Sequence, residues 1–246
     1  MKVPSLKPIK AIVIGVIIST LVGLAALVGI HYERNTLLRE VRISGIEITT
    51  NDEFDKIREV VIGQHPDSLN LAELVLNAMA LPYVDTAFIR LEAAGALVFD
   101  VVEYEAIGLL VDGNSEALVA EDGTVMPLRE EAISESLPLI YGYSTTRKSL
   151  HGEPGFEEIT QFLTASRAHE LSWITISEVT WNKEDGVVAL SHENGVKLLF
   201  GSEHFEESIQ KWISFYKEVI LHKGIDAFHT IDLRFRGQIV TREATT

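Results

Sequence analysis

Cysteine is absent from this 246-residue chain, so it holds no disulfide, no thiolate metal ligand and no thiol nucleophile. Basic side chains are scarce: 21 Lys and Arg stand against 36 Asp and Glu, a formal charge of −15. Neutralising nucleic-acid phosphates takes clustered Lys and Arg, and this balance excludes that class of partner. Catalytic signatures are missing too, with no GxxxxGK phosphate loop, no HExxH and no GxSxG. The eight His are scattered, none paired at i, i+3 or i, i+4 on one helix, so neither a metal nor a cofactor is expected. Glu130-Glu131, Glu157-Glu158 and Glu206-Glu207 supply the residue type of a glycosidase. Among 36 acids such pairs arise by chance, and two of them fall on the outer faces of amphipathic helices, so no enzymatic activity is expected.

Long uncharged runs are limited to one. Residues 11–30 read AIVIGVIISTLVGLAALVGI, twenty residues without a charge. At about 1.5 Å per residue they span roughly 30 Å, the hydrocarbon thickness of a bilayer. A cleaved signal has a shorter apolar core and ends in a small-x-small site; Leu27-Val28-Gly29-Ile30 offers none. An uncleaved transmembrane helix is expected. Lys2, Lys7 and Lys10 precede it, while Arg34, Arg39 and Arg42 follow it closely. A lysine-rich tail beside a long acidic domain favours a cytoplasmic N-terminus in the inner membrane, with the main domain extracytoplasmic. That domain holds 18 basic against 36 acidic residues. Gly15, Gly23 and Gly29 form no GxxxG, so helix pairing through small residues is unsupported.

After a connector over 31–38, Val41 and Ile43 alternate with Arg42 and Ser44, a strand ended by Gly45. Thr50 and Glu53 have capping-box spacing. Phe54, Ile57, Val60 and Val61 then share a helical face, which Gly63 and Pro66 stop. A second helix starts near Asn70, with Leu71, Leu74, Val75 and Ala78 on one side. Strands at about Val84–Leu91 and Leu97–Tyr104 follow. Phe54, Leu74 and Phe88 are expected to lie between helices and sheet.

From Ile107 onward strands dominate: Ile107–Val111, Ala117–Ala120, Thr124–Met126, Ile174–Asn182, Val187–Ser191 and Val196–Phe200. Asn194-Gly195 between alternating runs is the strongest hairpin signal. Two helices interrupt them. One runs from about Gly155 to His169 and buries Phe156, Ile159, Phe162 and Leu163. The other runs from about His204 to His222 and buries Phe205, Ile209, Trp212, Ile213, Tyr216 and Ile220. Trp173, Trp181 and Trp212 read as core. Strands at Thr230–Phe235 and Gln238–Thr241 close the chain.

These segments carry a resemblance. VRISGIE, LPYVDTAFIRLE and VFDVVEYEAIG resemble a POTRA domain, a small α/β module that docks other polypeptides; its usual closing Glu-Arg-x-Pro stands here as Glu103-Tyr104-Glu105-Ala106. ALVAEDGTVMP, SLPLIYGY, VKLLFGSEHFEESIQKWISFYKEV and TIDLRFRGQIV follow in the order seen in the FtsQ/DivIB cell-division family. Residues 11–242 resemble that family throughout. The implied fold is α+β: an N-terminal transmembrane helix at 11–30 behind a tail at 1–10, a POTRA-like β-α-α-β-β module at 39–106, then a strand-rich β domain with two amphipathic helices at 107–242 and a tail at 243–246. The implied function is a bitopic divisome scaffold, concentrated at the division site, that binds small coiled-coil proteins of the FtsB and FtsL type and other divisome proteins. A POTRA-bearing assembly or secretion factor would need a C-terminal β-barrel, and a cell-wall hydrolase would need catalytic carboxylates.

In that family the partner adds a strand beside the last one. The matching residues are Arg234, Phe235, Gly237, Gln238, Ile239, Val240 and Thr241. A final strand often lies at a sheet edge, where unpaired N–H and C=O groups template another strand, and only five residues follow this one. Phe235 between Arg234 and Arg236 makes an aromatic-plus-arginine patch of the kind that dominates interface energy, and a basic spot in an acidic domain steers acidic partners. Read without the family, the same residues give the opposite assignment: Phe235 and Ile239 in the core, Arg234 paired with an internal carboxylate.

Overall fold

Hydrophobic alternation broken by glycine turns builds the two sheets on which this molecule is organised. The computed structural model describes residues 18–24, 37–92, 95–133 and 136–244, in two units that divide between Val102 and Glu103. Residues 18–24 are helical. The remainder of the expected membrane segment, the tail 1–10, connector residues 31–36 and residues 245–246 lie outside the described residues. Among the described residues no helix is long and apolar enough to cross a membrane.

The first unit runs β1 (Glu40–Ser44), α1 (Asp55–Val61), α2 (Leu71–Met79), β2 (Val84–Glu92) and β3 (Ala96–Glu103). A 3-10 turn at Asn51–Phe54 leads into α1, and the Thr50 N–H donates to the Glu53 carboxylate at 2.8 Å, satisfying a helix-entry donor. The sheet order is β1-β3-β2, with β1 parallel to β3. Phe54, Ile57, Val61, Leu74 and Ala78 from the helical side meet Val41, Ala87, Leu97, Phe99 and Val101 from the strands. The Phe54 and Phe99 rings stand 5.6 Å apart.

Two expectations fail here. Phe88 is 61% exposed. In β2 it is Val84, Ala87 and Ile89 that pack on the core, and from Ala87 onward alternation sends Phe88 to the opposite face with Arg90 and Glu92. There Arg90 pairs with Asp100 and Glu92, and Arg42 bridges Glu40 and Glu92. Val60 is 56% exposed, since α1 buries only Ile57 and Val61.

The second unit is built on β4 (Ala106–Asp112), β5 (Ser115–Ala120), β6 (Val125–Pro127), β7 (Leu139–Tyr141), β8 (Ile176–Asn182), β9 (Gly186–Ser191), β10 (Lys197–Gly201), β11 (Phe228–Asp232) and β12 (Val240–Glu243). They form one nine-stranded sheet in the order β12-β11-β10-β9-β8-β7-β4-β5-β6. Helices accompany it: α3 (Phe156–Arg167), α4 (Glu170–Thr175) and α5 (Phe205–Phe215), which continues as a π-helix over Tyr216–Ile220 and a last α-helical turn at Leu221–Lys223. Inside the short connection from β9 to β10, Asn194 and Gly195 both adopt positive φ, 58° and 56°, a conformation that Asn and Gly reach at least cost.

Phe156, Ile159, Phe162 and Leu163 of α3 and Phe205, Ile209 and Trp212 of α5 bury against Val179, Val187, Ala189, Leu198, Phe200 and Ile231. Trp212 is fully buried, and its indole N–H donates to Thr175 Oγ1 at 2.9 Å. Trp173 and Trp181 are half-buried against the same core, as are Ile213 and Tyr216. Residues 174 and 175, expected in a strand, end α4 instead, where Thr175 Oγ1 donates to Leu171 O at 2.6 Å.

Candidate docking edge

Strand β11 leaves the sheet at Asp232, three residues earlier than the alternation of Ile231, Leu233 and Phe235 suggests. Asp232 ends it: its Oδ1 accepts the Arg234 backbone N–H at 3.1 Å, an Asx turn that competes with the ladder. The connection 233–239 turns at Arg236-Gly237, with Gly237 at φ 68°, and β12 returns antiparallel to β11 with Asp232 opposite Val240, Ile231 opposite Thr241 and Thr230 opposite Arg242. Gln238 and Ile239 therefore precede the last strand instead of starting it.

β12 is the edge of the nine-stranded sheet, and all four of its residues are exposed. Its outer side presents the alternate main-chain groups that β11 does not use. It is held by few side-chain contacts. Lys223 pairs with Glu243 at 2.6 Å and holds that carboxyl below the usual range. Beyond the strand, Ala244 N–H donates to Ala227 O at 3.0 Å.

The seven residues expected at the site are brought together around this edge, in different environments. Phe235 is 46% exposed and Val240 likewise. Gly237, Gln238 and Thr241 are exposed. Ile239 is half-buried and packs on the core. Arg234 departs from the steering role expected of it, because its guanidinium is engaged within the chain: Asp232 at 2.6 and 2.9 Å, Asp185 at 3.0 Å. Asp232 is the main cause that raises the Arg234 pKa. A hydrogen bond from Lys197 chiefly, with Arg234 adding its charge, lowers that of Asp185. A nine-tenths-buried carboxylate such as Asp232 needs this bidentate partner. Arg236 reaches His204 at 2.9 Å.

Beside the edge, Glu207, Gln210, Lys211 and Ser214 of α5 and Gly237, Gln238 and Ile239 line an open groove. Lys211 was not visible as a site residue in the sequence: it sits on the shoulder of an amphipathic stripe, where a Lys reads as solvated. The acidic pairs considered for catalysis occupy helix starts. Glu130-Glu131, Glu157-Glu158 and Glu206-Glu207 all fall in first turns, where carboxylates meet the positive end of the backbone dipoles. Glu206 accepts from Gln210 and His169, which lower its pKa. Among the described residues no group of three or more His, Asp or Glu is placed to hold a metal ion.

Residues 107–242 match the family model described as FtsQ/DivIB, C-terminal related. The chain is similar to the cell division protein FtsQ of Rhodothermus marinus, 25% identical over 245 residues, covering 96% of this chain and 86% of that protein. Among solved structures it is similar to the major extracytoplasmic domain of the trans isomer of the cell-division protein DivIB from Geobacillus stearothermophilus, at 15% identity and a TM-score of 0.33, over 48% of this chain and 94% of that one.

Proposed function

Because the chain belongs to the FtsQ/DivIB family of cell-division proteins, matched over more than half its length at residues 107–242, we propose that it is a non-catalytic divisome scaffold that takes up a partner strand along β12. The partner is a small coiled-coil division protein of the FtsB or FtsL type. In this reading residues 11–30 anchor the chain in the inner membrane with the N-terminus in the cytoplasm, residues 39–106 form a POTRA-like module, and the β domain stands outside at the septum.

The observation that carries the reading is the edge itself: β12 is exposed at every residue at the end of an otherwise continuous sheet. A partner strand gains main-chain hydrogen bonds there, and side chains beside it set the choice of partner. Phe235 supplies the aromatic contact and Gln238 a neutral polar one, with Arg236 and Arg242 as basic groups at the edge, Arg234 and Lys223 being paired within the chain.

Affinity capture of the tagged full-length chain from membranes tests this. Small coiled-coil division proteins are expected in the eluate, and Phe235→Ala and Gln238→Glu are each expected to reduce them by about tenfold, the effect of losing one interface anchor. Undiminished capture by both folded variants puts the interface elsewhere. For topology, protease added outside the inner membrane is expected to digest the chain beyond about residue 35 and spare residues 1–10; a mature N-terminus after residue 25 overturns the anchor.

A further inference from the structure

We propose that Lys211 is a positioning residue for the β12 edge: from α5 it clamps the connection 233–239 and thereby sets the register in which the edge strand is presented. This rests on the reading of β12 as the docking strand. The Lys211 side chain is only 15% exposed. Its ammonium donates to Leu233 O and, at 2.8 Å, to Phe235 O, and stands 4.0 Å from Glu207. Ser208 Oγ donates to the same Leu233 carbonyl at 3.2 Å, and Leu233 N–H donates to Leu199 O at 2.9 Å. Residue 233 is thus fixed on both sides, and residue 235 by Lys211.

The two gripped carbonyls flank Arg234, whose side chain is drawn to Asp232 and Asp185. Between them they fix the path of the chain up to Phe235 and leave that ring outward. Past the turn at Gly237, only Ile239 packs on the core before β12 begins. β12 is exposed at all four residues, so burial does not pin its register, and a slip by one residue would exchange its two faces. A largely covered ammonium favours having its donors satisfied, and Lys211 meets both carbonyls from one side chain.

Lys211→Met keeps the unbranched stem and removes the donors. In the full-length chain, hydrogen exchange at residues 240–243 is expected to accelerate at least about tenfold, as loss of a charge-assisted hydrogen bond permits, while β8 and β9 keep their protection. Lys211→Arg is expected to restore slow exchange. Capture of a co-expressed small coiled-coil division protein is expected to fall with Lys211→Met and return with Lys211→Arg. Unchanged exchange at 240–243 in Lys211→Met overturns the proposal, and so does an equal loss of protection in β8 and β9, which would make Lys211 a support of the whole unit. Exchange is read with no partner present, so a wild-type chain that captures nothing overturns the docking reading of β12 alone.

Discussion

Two phenylalanines in the first unit share a chemistry and differ in everything that decides their worth. Phe99 is fully buried against Phe54, whereas Phe88 is 61% exposed beside ion-paired side chains. Phe99→Ala is expected to cost about 3–5 kcal/mol, and Phe88→Ala less than about 1 kcal/mol, in urea unfolding followed by circular dichroism. Equal losses would mean that β2 is shifted by one residue. Tyr143 makes a separate test. Burial chiefly, with the charges of Glu158 and Glu153 adding, pushes its hydroxyl up to about 12, and that hydroxyl donates to Pro154 O at 2.9 Å. A raised folded-state pKa gives stability fully present below the ordinary value of 10 and lost as pH rises through about 12. Absorbance at 295 nm should show a tyrosine titrating near 12 that disappears in Tyr143→Phe.

Elements whose cause is local could be read from the residues. The β9–β10 hairpin follows from Asn194-Gly195, and no atom lies within 4 Å of a side chain placed on Gly195. Gly195→Ala therefore isolates backbone strain at positive φ and should cost about 1 kcal/mol in unfolding midpoint analysis, with no change in the folded sheet. The amphipathic helices α3 and α5 were equally legible, since their buried residues repeat at helical spacing. α4 was not, because its six residues, ELSWIT, include β-branched and aromatic types and complete no apolar period. β7 is three residues long and pairs in parallel with β4 and β8, contacts distant in sequence that no local pattern announces. At the candidate edge, the seven expected residues lie in the last strand or in the connection that leads into it. The start of β12 was hidden, because the apolar alternation runs straight through Asp232. The capture of Arg234 by an internal carboxylate is what the residues imply without the family, although nothing in their order singles out Asp185 as a partner.

Among the described residues two cores share no residue, one in each unit. A fragment beginning at residue 103 should therefore unfold cooperatively by itself in urea; gradual, non-cooperative loss of signal would refute that independence. The open end of the large sheet has a further consequence, for crowding. A strand edge able to accept a partner is equally able to accept the same edge of a neighbouring copy, the first step toward insoluble aggregates. β12 limits this by brevity, four residues with Arg242 and Glu243 among them, and the formal charge of −15 pushes copies apart at a distance. Salt weakens the second safeguard and leaves the first. Concentrated protein should remain monodisperse by light scattering at low ionic strength and associate as salt shortens the reach of its charge, and blocking the edge with a bound partner strand should abolish that salt-driven clumping.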